Sequence, residues 1–270
     1  MKKLRYFSLL LVVVFLMTGC GKGNPKKDLE TSLLNMKDTT AIAMNLSISM
    51  GTPEMKIPMK MEFAMSKDFM HMNYSVSMLG QTESQEMYMI KKEDKVNQYQ
   101  YDKANKRWVY TTVESDALDN AEKLTGEEFN KNIDEFMKLL TSVKKVKSDK
   151  EGYDKLEIII SKKSMMDFAK KEIESDEEKE EIEKSFEKAP EEIKFYAYLK
   201  DGELSSMTMD VSTLMGEGAL MGMSIYDVTI EIVALNDKVD TSYPKVMEEA
   251  TYVSPEEFSN FILGSSDEEM

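Results

Sequence analysis

The sequence predicts an α+β protein in which an antiparallel sheet packs on helices, and two observations carry that prediction. Three successive runs alternate apolar and polar residues with period two, as strands with one buried and one wet face require. Around them lie segments whose apolar residues recur at helical spacing, some with capping residues at their starts. In the first run Ile42, Met44, Leu46, Ile48 and Met50 alternate with Ala43, Asn45, Ser47 and Ser49. In the second, Ile57, Met59, Met61, Phe63 and Met65 alternate with Pro58, Lys60, Glu62 and Ala64. In the third, Met70, Met72, Tyr74, Val76 and Met78 alternate with His71, Asn73, Ser75 and Ser77. Three such strands in succession predict a meander.

The remaining elements follow in order. Leu29, Leu33 and Met36 place a short helix within 28–40. After the meander, 85–90, Val96–Tyr101 and Arg107–Val113 read as further strands, the last two joined by the polar stretch Asp102–Lys106. Thr125 and Glu128 form a capping box ahead of Phe129, Ile133, Phe136, Met137 and Leu140, which share one helix face. Strands around 143–149 and 154–161 flank Glu151-Gly152. A helical region runs from Ser164 to Ala189 and ends before Pro190; its charged middle, Glu172–Glu183, is exposed or broken near Ser175. Ile193–Leu199 and Leu204–Thr213 are joined by Asp201-Gly202, a hairpin signal. A Gly216-Glu217-Gly218 turn leads into a strand over 219–235. Its apolar positions are odd at Met221, Met223 and Ile225 but even at Val228, Ile230 and Ile232, which predicts a bulge near Tyr226-Asp227. Ser254-Pro255-Glu256-Glu257 starts a terminal helix, and 264–270 reads as a frayed tail.

The N-terminus says where the chain lives. Lys2, Lys3 and Arg5 precede the apolar run Tyr6–Leu16, then Met17-Thr18-Gly19-Cys20. A basic region, a short apolar region and small residues before a cleavage point make a secretory signal over 1–19. The only cysteine stands at that point, and the motif resembles the lipobox of bacterial lipoproteins, with Met17 where leucine is usual. The resemblance implies that Cys20 receives a diacylglycerol and becomes the new N-terminus. The expected address is extracytoplasmic, anchored to the cell membrane by lipid. Residues 20–27 then form a lipidated, flexible tether, whose lysines either touch anionic headgroups or are merely solvated. Residues 28–263 form one domain.

Composition narrows the partners. The net charge is −15, and loss of Lys2, Lys3 and Arg5 with the signal makes it more negative by three. Such a surface repels phosphate backbones, so nucleic acid is not expected. One cysteine excludes an intramolecular disulfide, and the sequence beyond the signal has no apolar run long enough to span a bilayer.

The order of elements resembles the half-barrel lipid carriers, the LolA and LolB localisation factors and the LppX/LprG lipoproteins. It is also similar to a group of Firmicute lipoproteins of the same superfamily, with Tyr99, Tyr101 and Trp108 in a comparable aromatic hairpin. The resemblance spans roughly 28–240 and rests on element order. It implies a strongly curved antiparallel sheet, a half-barrel, wrapped around helices with an apolar cavity between them for acyl chains. It supplies no catalytic residue.

Methionine is the compositional anomaly: of 24, all but Met1 and Met17 lie beyond the signal, largely on alternating strands. They read either as adaptable lining for an acyl-chain cavity or as an ordinary core. Met70-His71-Met72 is a poor copper site, because His71 points away from the face its neighbours share. No zinc spacing, phosphate-binding glycine loop or nucleophile–base set is recognisable around this lone histidine. The expected function is therefore non-enzymatic and without a cofactor: binding, carrying or sensing an apolar ligand such as a lipid. Its candidate lining is Met59, Met61, Phe63, Met72, Tyr74, Val76, Met221 and Met223. The alternative is an envelope scaffold that contacts other proteins.

Overall fold

A computed structural model describes residues 24–52, 55–78, 81–114, 118, 126–171, 173, 175–187, 189–211 and 224–263. The signal, Cys20, the Thr125 half of the capping box, the Gly216–Gly218 turn, Met221, Met223 and the tail lie outside these residues. The first helix, α1, is Pro25–Asn35, and it begins inside the segment expected to be a tether. The side chain of Asn24 accepts from the amides of Lys26 and Lys27 at 3.1 and 3.3 Å. Pro25 stands at the first helical position, where its missing N–H costs nothing. Asn24-Pro25, within the expected tether, thus starts a helix.

A meander follows: β1 (Ala41–Gly51), β2 (Lys56–Ser66), β3 (Phe69–Met78), β4 (Gln81–Lys92), β5 (Lys95–Asp102) and β6 (Arg107–Glu114). Gly51 closes β1 at φ 138°, where a Cβ would stand 2.1 Å from the carbonyl oxygen of Met55. No other residue fits there. Helix α2 (Gly126–Leu139) drives Phe129, Ile133 and Phe136 into the core at 1% exposure or less. A second meander then runs through β7 (Leu140–Val146), β8 (Tyr153–Ser161), β9 (Glu192–Lys200), β10 (Glu203–Asp210) and β11 (Ser224–Leu235). Asp201 and Gly202 turn β9 into β10 with φ of 51° and 85°, the left-handed pair a tight hairpin needs. Between β8 and β9 the expected helical region is two helices, α3 (Lys162–Lys170) and α4 (Asp176–Phe186). The break falls at Ser175, whose hydroxyl caps α4 by accepting from the amide of Glu178.

The meanders join through β1 and β11, and β12 (Thr251–Tyr252) adds a short parallel edge to β6. One twelve-stranded, mostly antiparallel sheet results, in the order β12-β6-β5-β4-β3-β2-β1-β11-β10-β9-β8-β7. Its two ends do not pair. Laid flat at ~4.8 Å per strand it would be some 50 Å wide, a size at which twisted sheets curl. It is curved and unclosed. At the β1–β11 seam Ser49 faces Asp227 and Met50 faces Ile225, so Tyr226 is the extra residue of the expected bulge. A second bulge follows at Val233, between the Ala43–Ala234 and Met44–Ile232 pairs.

The main core lies on the sheet face that carries α1 and α2 and includes Leu33, Met44, Leu46, Ile158, Phe195 and Met207, each 1% exposed or less. The opposite face is not the wet surface that alternation predicts. Over β3–β6 it buries Phe69, Tyr88, Ile90, Tyr99 and Trp108 against Met247, from the segment that follows β11. That segment crosses the outer face through two 3-10 turns, Asn236–Lys238 and Lys245–Glu249. It ends in β12 and in helix α5 (Pro255–Leu263). Ser254 and Glu257 cap α5 reciprocally: the Glu257 amide donates to Ser254 Oγ, and the Ser254 amide to Glu257 Oε2. Phe258 and Val253 then seat against Val109 of β6. No helix among the described residues is long and apolar enough to cross a membrane.

Candidate functional site

Six of the eight expected lining residues fall together, in three facing pairs across β2 and β3: Met59 with Val76, Met61 with Tyr74, and Phe63 with Met72. Met87 of β4 continues the last pair. All point to the core face, because the strands alternate without interruption here. Burial changes along each row. In β1, Met44, Leu46 and Ile48 are at most 2% exposed. Their neighbours Phe63, Met61 and Met59, and the β3 residues beyond, keep part of their surface accessible. The described side chains therefore leave a methionine-rich apolar patch incompletely covered. Its polar member is Tyr74, whose hydroxyl donates to Gln85 Oε1 at 2.5 Å. Burial, and then the charge of Glu83, push that phenol up from its ordinary value.

A second feature, absent from the sequence reading, lies on the outer face. One ladder of directly facing residues crosses eight strands: Ala234, Ala43, Ala64, His71, Tyr88, Tyr99, Tyr110 and Tyr252. Three alanines thus give way to five rings. Tyr110 meets Tyr252 edge-on at 5.6 Å, Tyr99 stacks on Tyr110 at 5.4 Å, and His71 stacks on Tyr88 at 4.3 Å. His71 Nε2 and the Tyr88 hydroxyl converge on one oxygen of Glu86, at 2.9 and 2.8 Å. Burial and this carboxylate push the Tyr88 phenol far up. Over the alanines the 236–244 segment stands off, leaving a half-open cleft of about 530 Å³ whose rim includes Lys238, Asp240, Ser242 and Tyr243. Asp240 accepts from the Ser242 amide at 2.9 Å, which, ahead of the charge of His71, holds its carboxyl below the usual range.

As expected, Met70 and Met72 face the core while His71 faces away. Among the described residues no three His, Cys, Asp or Glu side chains gather closely enough to hold a metal ion.

No family model matches the sequence, and no curated protein does. Among solved structures, the chain is similar to a DUF1329 family protein from Desulfovibrio piger. The identity is 10%, the match covers 82% of this chain and 96% of that one, and the TM-score is 0.26. At that level the likeness bears on neither mechanism nor ligand.

Proposed function

We propose that this chain is a lipid-anchored, extracytoplasmic half-barrel of the LolA-like kind, which binds an acyl-chain ligand on the methionine face of β2 and β3. The observation that carries the reading is the partly uncovered block of Met59, Met61, Phe63, Met72, Tyr74 and Val76 beside a fully buried β1 row. Contiguous apolar surface left uncovered marks a binding site more often than not. Thioethers repack around variable partners, which suits chains of differing length. Each methylene buried contributes ~0.8 kcal/mol, against an association cost of at least ~4 kcal/mol. Long chains should therefore bind and short ones should not. The role proposed is binding rather than catalysis. The N-terminal pattern supports the anchor, and Cys20 stands four residues before the capping Asn24. An extended link of that length spans at most ~14 Å, which would hold the sheet close to the membrane.

The test is uptake of a fluorescent long-chain fatty-acyl probe, together with native mass spectrometry of protein extracted from membranes. Met72→Trp or Val76→Trp should leave melting nearly unchanged while abolishing uptake. A wild-type protein that takes up no probe, with tryptophan variants that unfold, would make the patch solid core.

A further inference from the structure

We propose that the outer-face cleft is a second ligand site, which takes a planar ring compound bearing a carboxylate. It is separate from the methionine face, since it opens on the other side of the sheet. The ring ladder supplies the first reason. Between neighbouring strands the ladder repeats every ~4.8 Å, close to the 4.3 Å at which His71 stacks on Tyr88. Tyr88 covers one face of the imidazole. In the ladder the next residue on the other side is Ala64, followed by Ala43 and Ala234. The row of rings is thus cut short where three methyl groups floor an open space. A flat ring standing on Ala64 would continue the stack, and the cleft of about 530 Å³ has room for it.

The polar groups supply the second reason. Glu86 receives His71 Nε2, which fixes that nitrogen as the N–H. The other ring nitrogen, Nδ1, has no hydrogen-bond partner among the described residues. Lys238, on the cleft rim, has no ion-pair partner among the described residues, whereas Asp240 is engaged by Ser242. Asp240 keeps its negative charge, so an anion would be held through Lys238, the rim ammonium with no ion-pair partner among the described residues. The length of the stack selects a ring.

His71 is the only histidine in the chain, so its imidazole C–H resonances report the site without ambiguity. The full chain should be titrated with 2-naphthoate, with decanoate as a flexible anion and 2-naphthalenemethanol as a neutral ring. Naphthoate should move the His71 resonances saturably, and the two controls should do so at least tenfold more weakly. Ala43→Leu, which fills the trough, should abolish the shift. Lys238→Glu, an exposed change that the fold will accept, should weaken it tenfold or more. No saturable shift with naphthoate would overturn the proposal. So would equal binding of either control, or undiminished binding in a folded Ala43→Leu or in Lys238→Glu.

Discussion

Lys155 of β8 donates to Asp149 Oδ1 at 2.7 Å, and the hydroxyl of Tyr198 on β9 donates to the same oxygen at 2.9 Å. The two donors fasten the β7–β8 turn to the outer face of the sheet. The bond from Lys155, and then that from Tyr198, hold the Asp149 carboxyl at about 2, below its ordinary 3.8. A depressed folded pKa stabilises the fold above the unfolded value, and that contribution is lost as pH falls through the folded one. Urea midpoints measured from about pH 5 down to about 2 should therefore fall less steeply for Asp149→Asn than for the wild type. The carboxylate is largely exposed, so high salt should shrink the difference.

The row Leu46–Met61–Tyr74 runs from the filled core to the uncovered patch. Leu46→Ala should cost ~2–5 kcal/mol by chemical denaturation, the range for a fully buried large side chain. Met61→Ala should cost less than half as much, because the described side chains leave it partly accessible. Equal losses at both sites would mean that the patch is as solid as the core.

Met61→Lys and Lys60→Met exchange charge and apolarity on the two faces of β2. The first puts an unpaired ammonium into the patch and should lower the melting temperature strongly. The second, at an exposed outer position, should change it little. Comparable shifts would reverse the assigned faces.

The α5 cap is separable from the rest of the fold. Ser254→Ala removes one side of the reciprocal pair with Glu257 and should cost ~1 kcal/mol. Amide exchange within 255–263 should rise more than in β1. Ser254→Asp should restore most of the protection.

Cys20→Ser tests the anchor directly. The protein should leave the membrane fraction and appear as an unprocessed or secreted form, because two acyl chains make retention stable where one is marginal. Unchanged mass and unchanged retention would end the lipoprotein reading.

The strands were legible because period two is a local signal. β1 to β3 stand within one residue of their expected bounds at Ala41–Gly51, Lys56–Ser66 and Phe69–Met78. Even the Tyr226 bulge showed as a change of parity. The Val233 bulge left no such mark, since the consecutive Ile232, Val233, Ala234 and Leu235 are all apolar and hide the switch. The outer-face core was illegible for a different reason. Tyr88, Tyr99 and Trp108 are covered by residues such as Met247, far along the chain in a segment with no periodicity. His71 suffered in the same way: Asn73, Ser75 and Ser77, which share its face, look polar, while Glu86, Tyr88 and the Lys238–Tyr243 rim reach it only through the fold.

The β1–β11 seam also sets an order of events. Every other antiparallel neighbour in the sheet comes next to its partner in strand sequence, with two helices intervening between β8 and β9, so those pairs can form in turn while the chain is still being made. β1 acquires β2 at once, but its other edge waits until residues 224–235 exist. Through that interval a long strand rich in methionine and isoleucine presents unpaired backbone, the kind of edge that seeds aggregation. The two meanders must therefore survive as separate half-structures before they zip together. A chain released before β11 is complete would carry a finished first meander and an adhesive edge.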